Sequence, residues 1–361
     1  MIKETTKQDE STRLKSTMKA AVLTEIRNIE LQQREIPTPK ADEVLIRVQA
    51  VGLCGSDVHY YEHGKIGNFI VEKPIILGHE VSGDIVKVGE NVTDLKIGQR
   101  VSIEPGATCG ECFHCQEGRY NLCPHVEFLA TPPYDGAFCE YIAMRADLVF
   151  PIPDSMSYET AALIEPFSVG VHAVSRGKLQ SGETVVIMGM GPIGLVTVAA
   201  AKMAGAKMII GVDLEQTRLD VAKEMGATHT INLRKENLEE KVREYTNGFG
   251  LDLAIETAGN QNAVQGTIAS VRRGGRVTIV GMSPQDEVPM SISNIVDKEI
   301  DIMGVFRYHH TYPKAIEMLA NKEIDIEKII TNQYTLADTA EAFEKAIHDK
   351  TNTLKIMIYP N

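Results

Sequence analysis

One glycine-rich turn restricts the possible folds of this chain more than any other stretch. The apolar run 184–188 leads into the sequence Gly-Met-Gly-Pro-Ile-Gly of residues 189–194, and a helical pattern with a small-residue face follows from Leu195. The next predicted strand ends at Asp213, roughly twenty positions further on. The glycines alone would fit an ordinary tight turn. Together with the strand, the helix and the acidic residue, they predict a dinucleotide-binding unit.

The residues of this turn have distinct predicted tasks. Gly189, Gly191 and Gly194 let the backbone approach a pyrophosphate, which the positive end of the following helix attracts. Pro192 and Ile193 begin that helix, at positions where a proline needs no backbone donor. We therefore expect all five residues to contact the cofactor.

The choice between the two nicotinamide cofactors depends on the end of the next strand. Asp213 is expected to bind the adenosine ribose hydroxyls. Residues 214–216, Leu-Glu-Gln, offer no cation for a 2′-phosphate, and Arg218 is the one basic residue close by in sequence. The sequence therefore favours NAD over NADP, with Arg218 as a further candidate contact.

The wider pattern indicates two kinds of domain. Short alternating apolar runs, punctuated by Gly and Pro, fill residues 18–150 and favour a mostly antiparallel β domain. From residue 182, strand and helix patterns alternate, which favours a doubly wound parallel sheet. The predicted strands there are 184–188, 208–213, 228–232, 251–256, 276–281 and 300–305, and the predicted helices are 195–203, 218–225, 238–245 and 263–271. Helices over 312–321 and 338–348 and a strand over 354–359 are expected to return to the first domain.

Four of the six cysteines lie close together in a Cys-x₂-Cys-x₂-Cys-x₇-Cys pattern: Cys109, Cys112, Cys115 and Cys123. Tetrahedral Zn²⁺ holds such a loop together without a hydrophobic core. The clustering favours a metal over disulfides, because no signal peptide precedes it. His114 and His125 are competing ligands, and an iron–sulfur cluster is the other metal alternative. We expect structural zinc, with Cys139 as a buried core residue.

A second set of metal-binding side chains lies nearer the N-terminus. Cys54 stands in one short run, and His79 and Glu80 stand together in another. Thiolate, imidazole and carboxylate groups bind Zn²⁺, and the flanking glycines suit turns that direct ligands inward. The alternative is a buried cysteine and a His-Glu pair that caps a helix. The dinucleotide fold and the cysteine cluster favour a metal site.

Composition excludes several classes of function. The net charge of −12 disfavours binding to nucleic acid or to an anionic membrane. No apolar run approaches the roughly 18 residues of a membrane helix. Residues 1–16 are polar and lack the apolar region of a signal peptide. We therefore expect a flexible tail over residues 1–17 and a cytoplasmic protein that acts on a small molecule.

These motifs, in this order, resemble the zinc-dependent medium-chain dehydrogenase/reductase family. Within it, residues 54–61, 64–69, 130–133, 165–170 and 306–308 are similar to the sorbitol (L-iditol 2-) and xylitol dehydrogenases. Animal members are expected to lack the full set of four cysteines, so the bacterial branch is favoured. The resemblance implies an α/β fold with a GroES-like, mostly β catalytic domain (18–166), an NAD-binding Rossmann domain (167–306), a C-terminal return (307–361) and a homotetramer.

The resemblance also implies roles for individual residues. The catalytic zinc would be held by Cys54, His79 and Glu80, with Glu165 as a further ligand, either directly or through water. Ser56, His59 and Glu165 are the candidate catalytic residues that relay the proton. The candidate polyol contacts are Tyr60, Glu165, Arg307 and Tyr308. Val280, Gly281, Met282, Val305, Phe306 and Arg307 complete the predicted cofactor contacts.

The implied reaction is the oxidation of a polyol secondary alcohol to a ketose, with hydride transfer to NAD and two zinc ions per subunit. A threonine or 2,3-butanediol dehydrogenase would share the zinc and NAD residues and is the alternative enzyme. An NAD-sensing or quinone-reductase-like protein without catalytic zinc is the non-enzymatic alternative. His59 could instead be a surface residue, Ser56 a turn cap, and Arg307 the ion-pair partner of an acid such as Glu165.

Overall fold

The computed structural model describes residues 16–283 and 287–360. All but the last two residues of the predicted tail 1–17 lie outside these ranges. The first part of the chain consists mainly of short strands: β1 (Thr17–Glu25), β2 (Asn28–Glu35), β3 (Glu43–Leu53), β4 (Lys65–Ile66), β5 (Phe69–Ile70), β6 (Ile75–Ile76), β7 (Glu80–Val88), β8 (Arg100–Ile103), β9 (Gly106–Ala107), β10 (Glu127–Phe128), β11 (Tyr141–Arg145) and β12 (Val149–Pro151). Three helices accompany them: α1 (Gly55–His63), α2 (Phe113–Gln116) and α3 (Tyr158–Ala162).

The second part alternates strand and helix. Its strands are β13 (Thr184–Met188), β14 (Met208–Asp213), β15 (His229–Asn232), β16 (Leu251–Glu256), β17 (Val271–Ile279) and β18 (Asp301–Gly304). Its helices are α4 (Ile164–Arg176), α5 (Pro192–Met203), α6 (Gln216–Met225), α7 (Leu238–Tyr245), α8 (Gln261–Ser270) and α9 (Ile292–Lys298). The chain then adds α10 (Tyr312–Ala320), β19 (Ile330–Thr335), α11 (Thr339–His348) and β20 (Lys355–Tyr359). Short 3₁₀ turns occur at Tyr120–Leu122, Ala146–Leu148, Ile326–Ile329 and Leu336–Asp338.

The strands of the second part form one parallel sheet in the order β15-β14-β13-β16-β17-β18. This order reverses direction between β13 and β16, where a doubly wound sheet opens a crevice at the carboxyl ends of its strands. Apolar side chains of β13 are buried on both faces, because helices cover both sides of a parallel sheet. The predicted parallel sheet is confirmed.

A mostly antiparallel sheet organises the first part, in the order β12-β8-β7-β3-β20-β19, with β11 also paired to β3. Strand β3 pairs with β7 along one edge and with β20 at Val51–Leu53 on the other. The chain therefore returns from the parallel sheet to place β20 beside the end of β3. Strand β3 ends at Leu53, and the next residue is Cys54, the first candidate metal ligand.

Some boundaries differ from the expectations, and each difference has a local cause. Strand β17 begins at Val271, five residues before the predicted start, because it pairs across an irregular stretch where the register jumps from Leu251 to Leu253 on its partner. Gly274 in that stretch has a φ of 65°. Helix α4 was not predicted, because Pro166 and Gly170, two residues that disfavour a helix interior, lie within it. None of the described helices has the length and apolar character required to cross a membrane.

Candidate functional site

A cavity of about 600 Å³ lies between the two parts of the chain. Helix α1 and the strand ends near Cys54 contribute one wall, and the turn after β13 contributes the other. Of the predicted site residues, the cavity is lined by Cys54, Ser56, His59, Glu80, Pro192, Ile193, Arg218, Val280, Gly281 and Met282. Candidate metal ligands and candidate cofactor contacts therefore share one cleft, at the crevice where the order of the parallel sheet reverses.

Cys54 lies at the junction of β3 and α1. Its extended backbone (φ −94°, ψ 155°) makes it the N-terminal cap of α1, and Gly64 ends the helix in a left-handed conformation. Asp57, in the first turn, is fully buried and accepts a hydrogen bond from the Cys54 backbone nitrogen at 3.0 Å. A carboxylate in this position stabilises the first turn and fixes the cysteine.

Asp57 also connects the two runs of metal-binding residues. Its Oδ1 accepts a hydrogen bond from the Gly78 backbone nitrogen at 3.0 Å and lies 3.5 Å from Nδ1 of His79. A carboxylate beside one imidazole nitrogen orients the ring and leaves the other nitrogen for a metal. Asp57 thus positions Cys54 and His79 together.

The donor atoms of Cys54, His79 and Glu80 lie within 4.8 Å of one another. Such a set of thiolate, imidazole and carboxylate, largely buried, is the donor chemistry of a catalytic zinc site with one open position. These residues fit zinc. Glu165 is not part of this close group, so its predicted role as a further ligand stays a prediction.

Glu80 has a partner that the sequence did not indicate. Lys355, the first residue of β20, lies with its Nζ 2.6 Å from Oε1 and 2.8 Å from Oε2 of Glu80. Burial alone lowers the pKa of Lys355, but the charges of Glu80 and Cys54 outweigh it and raise the pKa above its usual value. The Glu80 carboxylate therefore has a fixed cation beside it, in addition to any metal.

Gly52 makes room for the same carboxylate. A Cβ atom at Gly52 would lie 1.9 Å from Oε2 of Glu80, far inside contact distance. The residue pairs with Glu80 across β3 and β7. A glycine is required here because Glu80 lies against the backbone of β3.

Glu165, in the first turn of α4, is bonded to Tyr308. The Tyr308 hydroxyl donates to Oε1 of Glu165 at 2.8 Å, and both residues are buried. Burial raises the pKa of the Glu165 carboxyl to about 7. Two residues predicted to bind substrate are thus in direct contact, and one of them can exchange a proton near neutral pH.

Arg307 precedes this tyrosine in a strained backbone conformation, with a φ of 50°. Its guanidinium stacks 4.0 Å from the centroid of the Phe128 ring, and Nη1 is buried without a hydrogen-bond partner among the described residues. Arg307 forms no ion pair with a described carboxylate. Glu165, its expected alternative partner, instead accepts a hydrogen bond from Tyr308 at Oε1. An unsatisfied guanidinium nitrogen is a donor available to a ligand. Tyr60, also buried, is close enough for its charge to affect the pKa of Arg307.

Ser56 and His59 lie on α1, on the wall of the cleft. Ser56 is half-buried and His59 is exposed. The pKa of His59 is lowered by partial burial and by His63, whose ring centroid lies 4.6 Å away. Both side chains therefore line the space beside Cys54, where a proton would leave for solvent.

The glycine turn has the geometry that a pyrophosphate requires. Gly189 has a φ of 97°, and a Cβ atom at Gly194 would lie 1.8 Å from the Gly189 carbonyl oxygen. Nothing lies within 4 Å of the place where a Cβ of Gly191 would be. Two glycines thus permit the turn itself, and the third leaves open space at the start of α5, so the turn fits a dinucleotide.

Asp213 is already bonded to that turn. Its Oδ2 accepts from the Met190 backbone nitrogen at 2.6 Å, and its Oδ1 accepts from the Leu214 and Glu215 nitrogens. Asp213 therefore helps to hold the turn, and its predicted bonds to ribose hydroxyls would be additional.

Arg218 donates to the Lys350 carbonyl, across the cleft from the parallel sheet. Val305 and Phe306 line a separate cavity and not the cleft.

The four cysteines of the second cluster come together as predicted. Their sulfur atoms lie within 4.8 Å of one another, with Cys112–Cys115 and Cys109–Cys123 each at 3.5 Å and Cys109–Cys115 at 4.0 Å. Four thiolates bound tetrahedrally at about 2.3 Å would have their sulfurs roughly 3.8 Å apart, so the cluster fits zinc. His114 and His125 are not in it. Cys139 is buried in the core, as expected.

Two residues beside the metal site were not identified from the sequence. Asp57 stands in the run of Cys54, and its place three residues after the helix cap was the signal that could have identified it. Lys355 carries no such signal, because it stands 275 residues from Glu80. A lysine at the start of a buried strand was its only unusual feature.

Comparison with known proteins identifies the family. Residues 40–154 match the alcohol dehydrogenase GroES-like domain, and residues 192–321 match the zinc-binding dehydrogenase family. Sorbitol dehydrogenase of Bacillus subtilis (strain 168) is 57% identical over 344 residues, which cover 95% of this chain and 98% of that protein. The Homo sapiens sorbitol dehydrogenase is 44% identical, covering 92% of each chain.

A solved structure extends this similarity to three dimensions. The 2R,3R-butanediol dehydrogenase from Bacillus subtilis superposes with a TM-score of 0.87 at 33% identity, and the match covers 95% of this chain and 100% of that one. The predicted combination of a GroES-like domain and a Rossmann sheet is confirmed by these matches. The chain is an oxidoreductase that belongs to the zinc-binding dehydrogenase family.

Proposed function

We propose that this chain oxidises a secondary alcohol of a polyol to a ketose, sorbitol to fructose or xylitol to xylulose, and reduces NAD⁺ in the same step. The observation that carries the proposal is the shared cleft. Cys54, Ser56 and Glu80 line the same cavity as Ile193 and Gly281 of the dinucleotide half. The 57% identity to a sorbitol dehydrogenase supports a polyol as the substrate class.

The two bound groups would supply the electronic part of the reaction. Zinc supplies a Lewis acid that lowers the pKa of an alcohol, and the nicotinamide supplies the hydride acceptor. Cys54, His79 and Glu80 would hold the metal. Asp57 orients the ligands in advance, and a site whose ligands are already oriented loses less entropy on binding.

The chain's own residues would handle the proton. The Ser56 hydroxyl would accept it from the substrate and pass it to His59, whose exposed ring reaches solvent. The pKa of His59 is lowered, so the imidazole is mostly neutral at pH 7 and can accept a proton. Glu165 is the second candidate, because its carboxyl can exchange a proton near neutral pH.

Recognition of a polyol needs several polar anchors. Arg307 offers the unpartnered Nη1, and a guanidinium can donate to two adjacent hydroxyls. Tyr308 holds Glu165 in place, and Tyr60, which is buried, would be a further polar anchor. A site of this kind selects strongly against alcohols without extra hydroxyls, because its buried polar groups would be left unpaired.

Initial rates test the substrate class. We expect kcat/KM with NAD⁺ to be much higher for sorbitol, xylitol or L-iditol than for 2-propanol, threonine or 2,3-butanediol. Arg307→Ala should reduce polyol activity sharply and leave activity on 2-propanol nearly unchanged. Arg34→Ala, at an exposed position on β2, is the matched control and should change neither. Equal efficiency on 2-propanol and sorbitol in the wild type would refute the polyol proposal.

A 2,3-butanediol dehydrogenase is the second candidate, and the structural similarity to such an enzyme favours it. A diol has fewer hydroxyls to satisfy, so this activity would depend less on Arg307. A kcat/KM for 2,3-butanediol above that for every polyol, with little loss in Arg307→Ala, would support it instead.

We also propose that the chain assembles as a homotetramer. Strand β18 is an edge strand of the parallel sheet, with backbone groups free to pair. Near it, on α9 and the preceding segment, Met290, Ile292 and Val296 expose 40%, 64% and 70% of their surface. Apolar exposure beside an open edge is typical of a contact surface. Sedimentation analysis tests the assembly, and a stable monomer or a stable dimer would exclude the homotetramer.

A further inference from the structure

A second cavity, of about 370 Å³, lies where the cysteine-rich segment, the end of α4 and the end of β18 meet. Its charged and polar lining consists of Arg119, Arg176, His172, His309 and Asn121, and no carboxylate lines it. A pocket with two guanidinium groups and no balancing acid has an unmatched positive potential. The proposed polyol chemistry uses none of these five side chains.

The charged groups lie close together around this cavity. The His172 and His309 rings are 4.8 Å apart between centroids. His172 is 5% exposed, and its pKa falls to about 4 through burial, with His309, Arg176 and Arg119 adding to the effect. The pKa of His309 is lowered for the same kinds of reason. At neutral pH the cavity therefore has two fixed positive charges and two neutral imidazoles.

Several polar groups at its wall have no partner. Arg119 is exposed and Arg176 is half-buried. No described acid forms an ion pair with either, and among the described residues Arg176 makes only a long 3.4 Å contact to the Gly304 carbonyl. Nδ1 of His309 and Oδ1 of Asn121 are buried without a hydrogen-bond partner among the described residues. Buried polar groups without partners are uncommon in folded proteins. Nδ1 of His309 can donate to an anionic ligand, whereas Oδ1 of Asn121 only accepts and could bind only a protonated oxygen of that ligand.

We propose that this cavity binds a phosphate group, either as inorganic phosphate or as the head of a small phosphate monoester. Arginine forks match phosphate oxygens in pairs, and neutral imidazoles donate one hydrogen bond each. A phosphate group has a charge of about −1.5 to −2 at neutral pH, which balances the two guanidinium charges. The cavity has room for more than the phosphate itself, so a monoester also fits.

Occupancy would affect two elements of the proposed active site. His172 and Arg176 lie on α4, which also carries Glu165 in its first turn, and His309 directly follows Tyr308. The Tyr308–Glu165 hydrogen bond joins these same two elements. A phosphate between them would hold the end of α4 against residues 305–310.

Calorimetric titration at constant ionic strength tests the proposal, with saturating NADH present so that the nucleotide's own pyrophosphate site is filled. Inorganic phosphate and glycerol 3-phosphate are the two probes. Arg119→Met and Arg176→Met should each weaken binding by roughly tenfold or more, because one charge-assisted contact is lost. Arg34→Met removes the same charge at an exposed position and should leave the affinity unchanged.

The titration outcomes distinguish inorganic phosphate from a phosphate monoester as the ligand. Binding of both probes assigns free phosphate, and binding of the monoester alone assigns a phosphorylated metabolite. Saturable binding that neither arginine variant weakens would overturn the proposal, as would no binding of either probe. Each variant is first checked by thermal melting, and the two arginines lie on separate segments, so one misfolded variant leaves the other as the test.

Discussion

The ammonium of Lys355 and the carboxylate of Glu80 form a buried ion pair, with both Glu80 oxygens within 2.8 Å of Nζ. Their side chains are 3% and 1% exposed. Nζ also donates to the Leu53 carbonyl at 3.1 Å, so all three of its hydrogens are used. Leu53 directly precedes Cys54. Lys355 is therefore bonded to one candidate zinc ligand, Glu80, and to the backbone next to another, Cys54.

Replacing this cation should destabilise the metal-free protein. Lys355→Met should lower the free energy of unfolding by up to about 3–5 kcal/mol, because a buried carboxylate is left without its partner. The loss should be smaller when zinc is bound, since the metal then balances Glu80. Urea denaturation of the variant and the wild type measures the loss of stability. The experiment is done without EDTA for the zinc-bound protein and with EDTA for the metal-free protein. Equal losses in the two states would contradict the expectation.

Lys328→Met is the matched control for this experiment. Its pair with Glu224 has the same 2.6 Å distance, but the side chains are 43% and 54% exposed. Exposed pairs contribute roughly 0–1 kcal/mol, so this variant should lose little stability in either metal state.

Gly52 provides a steric test of the metal site. Gly52→Ala would place a methyl group 1.9 Å from Oε2 of Glu80, and the carboxylate would have to move. We expect the variant to lose one of two zinc ions per chain and nearly all activity. Gly55→Ala has open space around its added methyl and should keep both ions. Metal analysis of the purified proteins decides, and full zinc occupancy in Gly52→Ala would refute the assignment of Glu80.

The two cysteine sites should respond differently to substitution. Cys54→Ala should abolish turnover in a folded protein that still binds NADH, because only the catalytic ligand set is broken. Cys112→Ser should lower the melting temperature, since a structural metal contributes folding energy. Thermal melting, NADH fluorescence and zinc content distinguish the effect of Cys54→Ala from that of Cys112→Ser. A stable Cys112→Ser variant that lacks both activity and one zinc ion would reverse the roles.

Asp213 should control the choice of cofactor. We expect the wild type to prefer NAD over NADP by at least roughly tenfold in kcat/KM, because a carboxylate repels a 2′-phosphate. Asp213→Asn removes the charge, so the NAD/NADP ratio of kcat/KM should narrow. Its single carbonyl oxygen can accept from the Met190 nitrogen or from the Leu214 nitrogen but not from both, so we also expect some loss of stability. A wild-type preference for NADP would show that Arg218 dominates instead.

Glu104 should give the protein a measurable pH response. Burial raises its pKa to about 7 from an ordinary 4.5, although Tyr120 donates a hydrogen bond to it at 2.8 Å. Between these values the folded protein holds a proton that the unfolded chain has lost, so the contribution of Glu104 to stability falls as pH rises.

Glu104→Gln cannot ionise, so it removes this decline. The free energy of unfolding of the variant, minus that of the wild type, should rise between about pH 4.5 and 7 by up to roughly 3 kcal/mol. Urea denaturation at a series of pH values measures the difference. A difference that stays constant across this range would show that Glu104 is ionised in the folded protein at the lower end.

The parts of the fold that depend on local pattern were predictable. The strand, glycine turn and acidic residue from Thr184 to Asp213 identified the parallel sheet, because each step has a residue signature within one short segment. Helix α4 had no such signature, because Pro166 and Gly170 within it weaken the helical pattern. The start of β17 was also missed, since pairing across the irregular stretch near Gly274 is decided by the neighbouring strand.

The candidate site divides in the same way. Cys54, His79, Glu80 and the four clustered cysteines were identified because metal ligands have characteristic side chains and spacing. The Tyr308–Glu165 bond joins residues 143 positions apart, and no local pattern indicates it. The predicted cofactor contacts Val305 and Phe306 line the arginine-rich cavity in this structure, and their role with NAD stays a prediction.

The distance in sequence between Glu80 and Lys355 has a consequence for biosynthesis. Ribosomes add about 5–20 residues per second, so Lys355 is made roughly 15–55 s after Glu80, which precedes it by 275 positions. During that interval Cys54, His79 and Glu80 are present in a nascent chain that lacks their lysine. Until Lys355 is made, Glu80 lacks the cation that it pairs with in the finished fold, and a metal ion bound to Cys54, His79 and Glu80 would balance its charge in the meantime.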